Sequence, residues 1–157
     1  MGFISVSGTG FAAPTAVSAI LVPLLFLGLA AAQGPSDLEI RVQGLRNAQG
    51  AVRLCLTRNP AHFPDCNRDP AAVKRSVNAA QAASIRLGGM VPGVYALAVI
   101  HDENGNGRLD KFMGIPREGF GFSRNPRIRM GPPRFEEVRF ELGTGRVRQS
   151  VQIKYLL

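Results

Sequence analysis

Charge is missing from the first 36 residues, cysteine and histidine are limited to two positions each, and nothing repeats along the 157-residue chain. Each shortage narrows the possibilities. With no repeat and no second composition, the length fits a single domain. No serine or cysteine stands in a recognisable nucleophile setting, so the chain is not committed to covalent catalysis. Cys55 and Cys66 are not a CxxC pair, and His62 is the only imidazole near them, which gives a metal or redox pair little to build on. A short-range pair in an exported chain reads instead as a disulfide. Closing so short a loop would stabilise the domain by about 2–3 kcal/mol in the chain-entropy model.

Acid is also in short supply, with 11 Asp and Glu against 19 Lys and Arg, a net charge of +8 and a pI near 10.7. Sixteen of the 19 bases are arginine, whose planar fork suits phosphate and carboxylate partners. The competing reading is a basic composition that serves solubility alone. Nucleic acid is not an expected partner, because no reading motif is present and the N-terminus looks like an export signal.

That N-terminus is what the chain does have. Residues 12–32 are a mostly apolar run closing in Ala30, Ala31, Ala32 and Gln33, small residues of the kind a signal peptidase reads. The sequence predicts a signal peptide over residues 1–32, although the segment before the run carries no Lys or Arg. An uncleaved membrane anchor is the alternative, since the run approaches the roughly 20 apolar residues a spanning helix needs. Pro14, Pro23 and the small-residue exit favour cleavage. The expected location is the periplasm or the exterior, with the working domain at residues 37–157.

Within that domain the apolar residues alternate. Residues 37–45 (DLEIRVQGL) and 51–57 (AVRLCLT) have period two and are expected to pair as a hairpin about the turn RNAQG. Residues 58–70 hold three prolines and read as a surface loop tied back by Cys66. Residues 71–80 fit an edge strand or a helical turn, and the neighbouring strands favour the former. Residues 83–87 follow as a short strand, and 88–93 (GGMVPG) as a turn. Residues 94–100 (VYALAVI) form a nearly continuous apolar run, as a central strand would. Residues 135–142 and 147–155 close the chain as strands. The fold class is all-β: a single antiparallel β-sandwich of six to seven strands.

The chemistry concentrates in residues 101–123, HDENGNGRLDKFMGIPREGFGFS, a polar glycine-punctuated loop fed by a rigid strand. Asp102, Asn104, Asn106, Arg108 and Asp110 have the spacing of the first nine positions of a calcium loop, Arg108 offering its carbonyl and Gly107 standing at the sharp turn. Met113 occupies the twelfth position, where a bidentate Glu belongs, so binding would be weak, in the extracellular ~10⁻⁴–10⁻³ M class. The favoured alternative is a loop whose Asp and Asn side chains cap backbone N–H groups. His101 beside Asp102 suggests acid–base work, but neighbours on a strand face opposite ways. Phe112, Phe120 and Phe122 either line a groove or pin the loop onto the sandwich. Arg124, Arg127, Arg129 and Arg134 form a basic stretch with no acid between Gly119 and Phe135. It can meet anionic envelope lipid or polysaccharide, or simply be solvated.

Three pieces together resemble the bacterial domain-of-unknown-function family 2141. They are Pro92-Gly93-x-Tyr95, then His101-Asp102-x-Asn104-x-Asn106-Gly107-x-Leu109-Asp110, then Gly114-Ile115-Pro116-x-Glu118-Gly119-x-Gly121-Phe122-Ser123. The resemblance implies an exported, single-domain sandwich of the transthyretin-like or immunoglobulin-like kind. It supplies no activity and no catalytic residues; within the loop, His101, Gly107, Gly114, Pro116, Glu118, Gly119, Gly121 and Phe122 are expected to act as structural support. The expected function is therefore a non-enzymatic binding or structural module with the 101–123 loop as its working face. The alternative is a metal-dependent hydrolase using His101, Asp102 and Glu118.

Overall fold

A computed structural model of the chain describes residues 34–157 and positions 1, 2, 8 and 10. The signal peptide or anchor expected at 1–32 lies outside the described residues. Among those described, no helix is long and apolar enough to cross a membrane.

The fold is all-β. In chain order the elements are β1 (Ser36–Gln43), β2 (Ala51–Thr57), β3 (Val73–Asn78), β4 (Ser84–Met90), β5 (Gly93–Asp102), β6 (Lys111–Phe112), β7 (Ile115–Pro116), β8 (Gly119–Phe122), α1 (Phe135–Val138), β9 (Phe140–Leu142) and β10 (Gly145–Gln152). One sheet runs β10-β1-β4 and the other β3-β2-β5-β8, with β9 pairing the start of β5. Every ladder is antiparallel except β1 with β10, which is parallel.

Several expectations are corrected. β1 and β2 do not form a hairpin: β1 pairs β4 and β10, while β2 pairs β3 and β5 in the other sheet. Each strand is apolar on one face, and facing each other across the core buries Leu38, Ile40 and Val42 against Val52, Leu54 and Leu56 better than side-by-side pairing would. Gly88 and Gly89 belong to β4 rather than to a turn. Residues 135–138 are a short helix, and only 140–142 of that stretch are strand.

β5 organises the molecule. Its odd positions Tyr95, Leu97 and Val99 face the core between the sheets. Its even positions Ala96 and Ala98 face a second apolar cluster with Phe120, Phe122, Phe135 and Val138. Burial on both faces is why the run lacks polar alternation. The loop after β2 covers this outer face: Phe63 stacks at 5.9 Å from Phe122 and 6.2 Å from Phe135. Cys55 and Cys66 lie at disulfide distance, with Cα atoms 5.7 Å apart.

The glycines at 119 and 121 are strand, not loop. Directly opposite His101 and Val99, they lie on the inner face of β8. A Cβ on Gly119 would come within 2.5 Å of the Tyr155 ring, and one on Gly121 within 2.6 Å of Val151. β8 therefore alternates an empty inner face with a phenylalanine outer face, and the C-terminal strand nests against the empty side.

Candidate functional site

The site begins where β5 ends. His101 and Asp102 are both fully buried and have separate partners. His101 Nδ1 lies 2.6 Å from the Tyr155 hydroxyl and Nε2 lies 2.8 Å from the Gln49 carbonyl. A carbonyl can only accept, so Nε2 carries the proton and Nδ1 accepts from Tyr155. The Tyr155 oxygen in turn accepts the Arg46 N–H at 3.1 Å, and the Arg46 guanidinium sits 4.4 Å over the tyrosine ring. Burial pushes the Tyr155 hydroxyl above its ordinary pKa.

Asp102 points to the outer face, as does Arg53 on β2. The Arg53 Nε donates to Asp102 Oδ2 at 2.6 Å, and the Gly107 N–H donates to the same oxygen at 2.8 Å. Asp102 Oδ1 accepts the Asn106 N–H at 3.0 Å. One buried carboxylate thus ties the sheet to the first turn of the loop.

A second carboxylate ties the loop's two ends. Glu118, also buried, accepts the Glu103 N–H on Oε1 and the Asp110 N–H on Oε2, both at 3.0 Å. The exposed side of the loop is held by amides. Asn104 donates to Asp110 Oδ2 at 2.7 Å and Asn106 to Oδ1 at 2.9 Å, holding the Asp110 carboxyl below its usual range. Asn106 Oδ1 accepts the Arg108 N–H at 2.9 Å. Glu103 receives Arg46 and Asn47, and the Arg46 bond foremost lowers its pKa.

The structure brings Asp102, Asn104, Asn106 and Asp110 into one network, in which Asn104 and Asn106 turn amide nitrogens toward Asp110. Among the described residues no three His, Cys, Asp or Glu side chains are grouped to hold a metal ion. His101, Asp102 and Glu118 converge on no common point, each being held by its own set of partners. An open polar cleft of about 320 Å³ lies beside the loop, lined by Arg46, Gln49, Glu103, Asn104, Asp110, Arg117 and Glu118.

From this base rises a small hairpin. β6 and β7 pair Lys111 with Pro116 and Phe112 with Ile115. Met113 at φ 49° and Gly114 at φ 83° form the two-residue turn, both left-handed as a type I′ turn requires. Phe120 and Phe122 are buried and pin β8, but Phe112 is exposed and pins nothing. Arg124, Arg127, Arg129 and Arg134 are all exposed, on the segment that follows β8 at the end away from this hairpin.

Sequence reasoning missed Arg53, Arg46, Gln49 and Tyr155. All four support the loop, yet the nearest partner in sequence is tens of residues away, and none lies in a motif.

Such a molecule is a two-sheet sandwich with one braced loop at the end of its central strand. Residues 40–150, spanning nearly all of both sheets, match the family model described as "Uncharacterized protein conserved in bacteria (DUF2141)", and the chain belongs to that family. No curated protein and no solved structure matches it.

Proposed function

We propose that the chain is an exported, non-enzymatic module that binds through the 101–123 loop. The observation that supports this is how the loop's polar groups are used. The carboxylates of Asp102, Glu103, Asp110 and Glu118 are all engaged by donors of the same chain. Two of them are buried, and the rest of the network leaves neither a poised nucleophile nor a free base. What the loop offers outward is a preorganised surface. A loop held this firmly loses little entropy on binding, the usual advantage of a rigid recognition element. Export is supported by the apolar run at 12–32 and by a cysteine pair at bonding distance, which persists in oxidising compartments.

The test is photo-cross-linking in cells, with a benzophenone side chain in place of Arg108 and, as control, in place of Val91. A single envelope component captured from position 108 and not from 91 is the expected result. Equal labelling from both, or none from 108, would reject the loop as the working face. Mass spectrometry of the purified chain should find its N-terminus near Gln33; an intact Met1 would reject processing.

A further inference from the structure

The hairpin at the loop's summit has a composition that the scaffold beneath it does not explain. Phe112, Met113 and Ile115 are 58%, 87% and 44% exposed. They fall within four consecutive residues, 112–115, whereas soluble surfaces carry such side chains singly. Met113 adopts a left-handed conformation that Gly or Asn would take at lower cost, so turn geometry alone does not call for it.

The exposed charged side chains nearest the tip are basic. Arg108, Lys111 and Arg117 are exposed, and none belongs to an ion pair among the described residues. The neighbouring acids are already held: Asp102 by Arg53, Glu103 by Arg46, Asp110 by two asparagine amides, and Glu118 by two backbone N–H groups. An apolar tip flanked by three exposed cations outside any ion pair is complementary to an interface that is anionic at the surface and apolar just beneath.

We infer that the 111–117 hairpin is a membrane-docking element, which inserts Phe112, Met113 and Ile115 into the headgroup–acyl boundary of an anionic bilayer while Arg108, Lys111 and Arg117 contact lipid phosphates. This deepens the proposed function, on which it rests, by naming the partner. The hairpin's size favours lipid over protein. A stable protein interface buries roughly 800 Å² on each partner, more than one four-strand-residue tip supplies. Interfacial insertion needs only a shallow apolar element, about 5–10 Å deep, with cations above it. The braces at Asp102 and Glu118 hold the tip away from the sheets in a fixed pose.

The chain contains no tryptophan, so F112W places the only indole at the tip and V91W places one on a distant exposed turn. Each full-length variant is mixed with vesicles of phosphatidylcholine alone or of phosphatidylcholine and phosphatidylglycerol in equal parts, with and without bromine-labelled acyl chains. The expected result is a blue shift and bromine quenching for F112W on anionic vesicles only, with V91W unmoved. Replacing Arg108, Lys111 and Arg117 by Ala in the F112W background should weaken partitioning by roughly 100-fold, at about fivefold per cation. If the chain pellets with anionic vesicles while F112W stays unshifted and unquenched, lipid is met elsewhere; the insertion is overturned and a binding module remains. If vesicles leave F112W unmoved and position 108 instead cross-links a protein, the lipid assignment is overturned in favour of a protein partner. Silence in both experiments overturns this inference and the proposed function together.

Discussion

Arg53 and Asp102 lie diagonally across the β2–β5 ladder, the arginine Nε 2.6 Å from the carboxylate Oδ2. The pair is asymmetric. Asp102 is fully buried, whereas the Arg53 side chain is 38% exposed. Asp102 also holds two loop amides, while Arg53 has water as a ready substitute.

Removing the two partners should therefore have unequal costs. Asp102→Ala leaves the Gly107 N–H without its acceptor and the Asn106 N–H with Asn104 Oδ1 alone, and opens a void at a fully buried position, for about 3 kcal/mol. Arg53→Ala should cost about 1 kcal/mol, because the carboxylate keeps its two amide donors. Urea unfolding midpoints measure both. Equal losses, or a larger one for Arg53→Ala, would refute the assignment of Asp102 as the brace.

Two glycines near the loop make a sharper contrast. Gly50 has φ +67° and faces the end of β5, where a Cβ would lie 2.0 Å from the Asp102 carbonyl oxygen. Gly105 has φ +74° with nothing within 4 Å. Gly105→Ala should cost only the left-handed conformation, about 1 kcal/mol. Gly50→Ala adds a backbone collision and should cost about 3 kcal/mol or more. Thermal melts of the two variants should differ widely, and similar melting temperatures would contradict the packing of the 46–50 turn against the loop.

Acid should loosen the molecule in a definite window. Glu39 is depressed chiefly by Arg41 and Arg148, Asp69 by the Thr57 hydroxyl, Glu103 by Arg46, and Asp110 by Asn106 and Asn104. A depressed carboxylate stabilises fully above its unfolded value and loses that contribution as pH falls through the folded one. Melting temperature should hold from neutrality down to about 4.5, the ordinary Glu value, and fall increasingly below 3.8, the ordinary Asp value. Tyr155, raised by burial, acts oppositely: its contribution is full below 10.0 and declines as pH rises beyond it. A melting temperature that stays flat well below 3.8 would mean these carboxylates are not held as described.

Strand periodicity made much of the fold legible. β2 emerged with the bounds 51–57, and β5 was recognisable because burial on both faces leaves an apolar run. Pairing was not legible. β1 and β2 look like a hairpin since a turn joins them, but nothing local tells that each seeks a partner in a different sheet. β8 was hidden because GFGF alternates glycine with phenylalanine, and glycine's inward role depends on Tyr155 and Val151 arriving from the chain's end. At the site, Asp102, Asn104, Asn106 and Asp110 stood out by spacing. Arg53 did not, because it is 49 residues from the carboxylate it holds.

The most direct measurement of the account is amide hydrogen exchange, resolved by residue, in the wild type and in Glu118→Gln and Asp102→Asn. If two carboxylates brace the loop, the amides of Glu103, Asn106, Gly107 and Asp110 are protected in the wild type. Glu118→Gln then releases chiefly Glu103 and Asp110, and Asp102→Asn chiefly Gly107, because the Asn106 N–H also donates to Asn104 Oδ1. Wild-type exchange at those four positions as fast as at the exposed bend residue Gly131 would show a loop without braces, and would contradict the account.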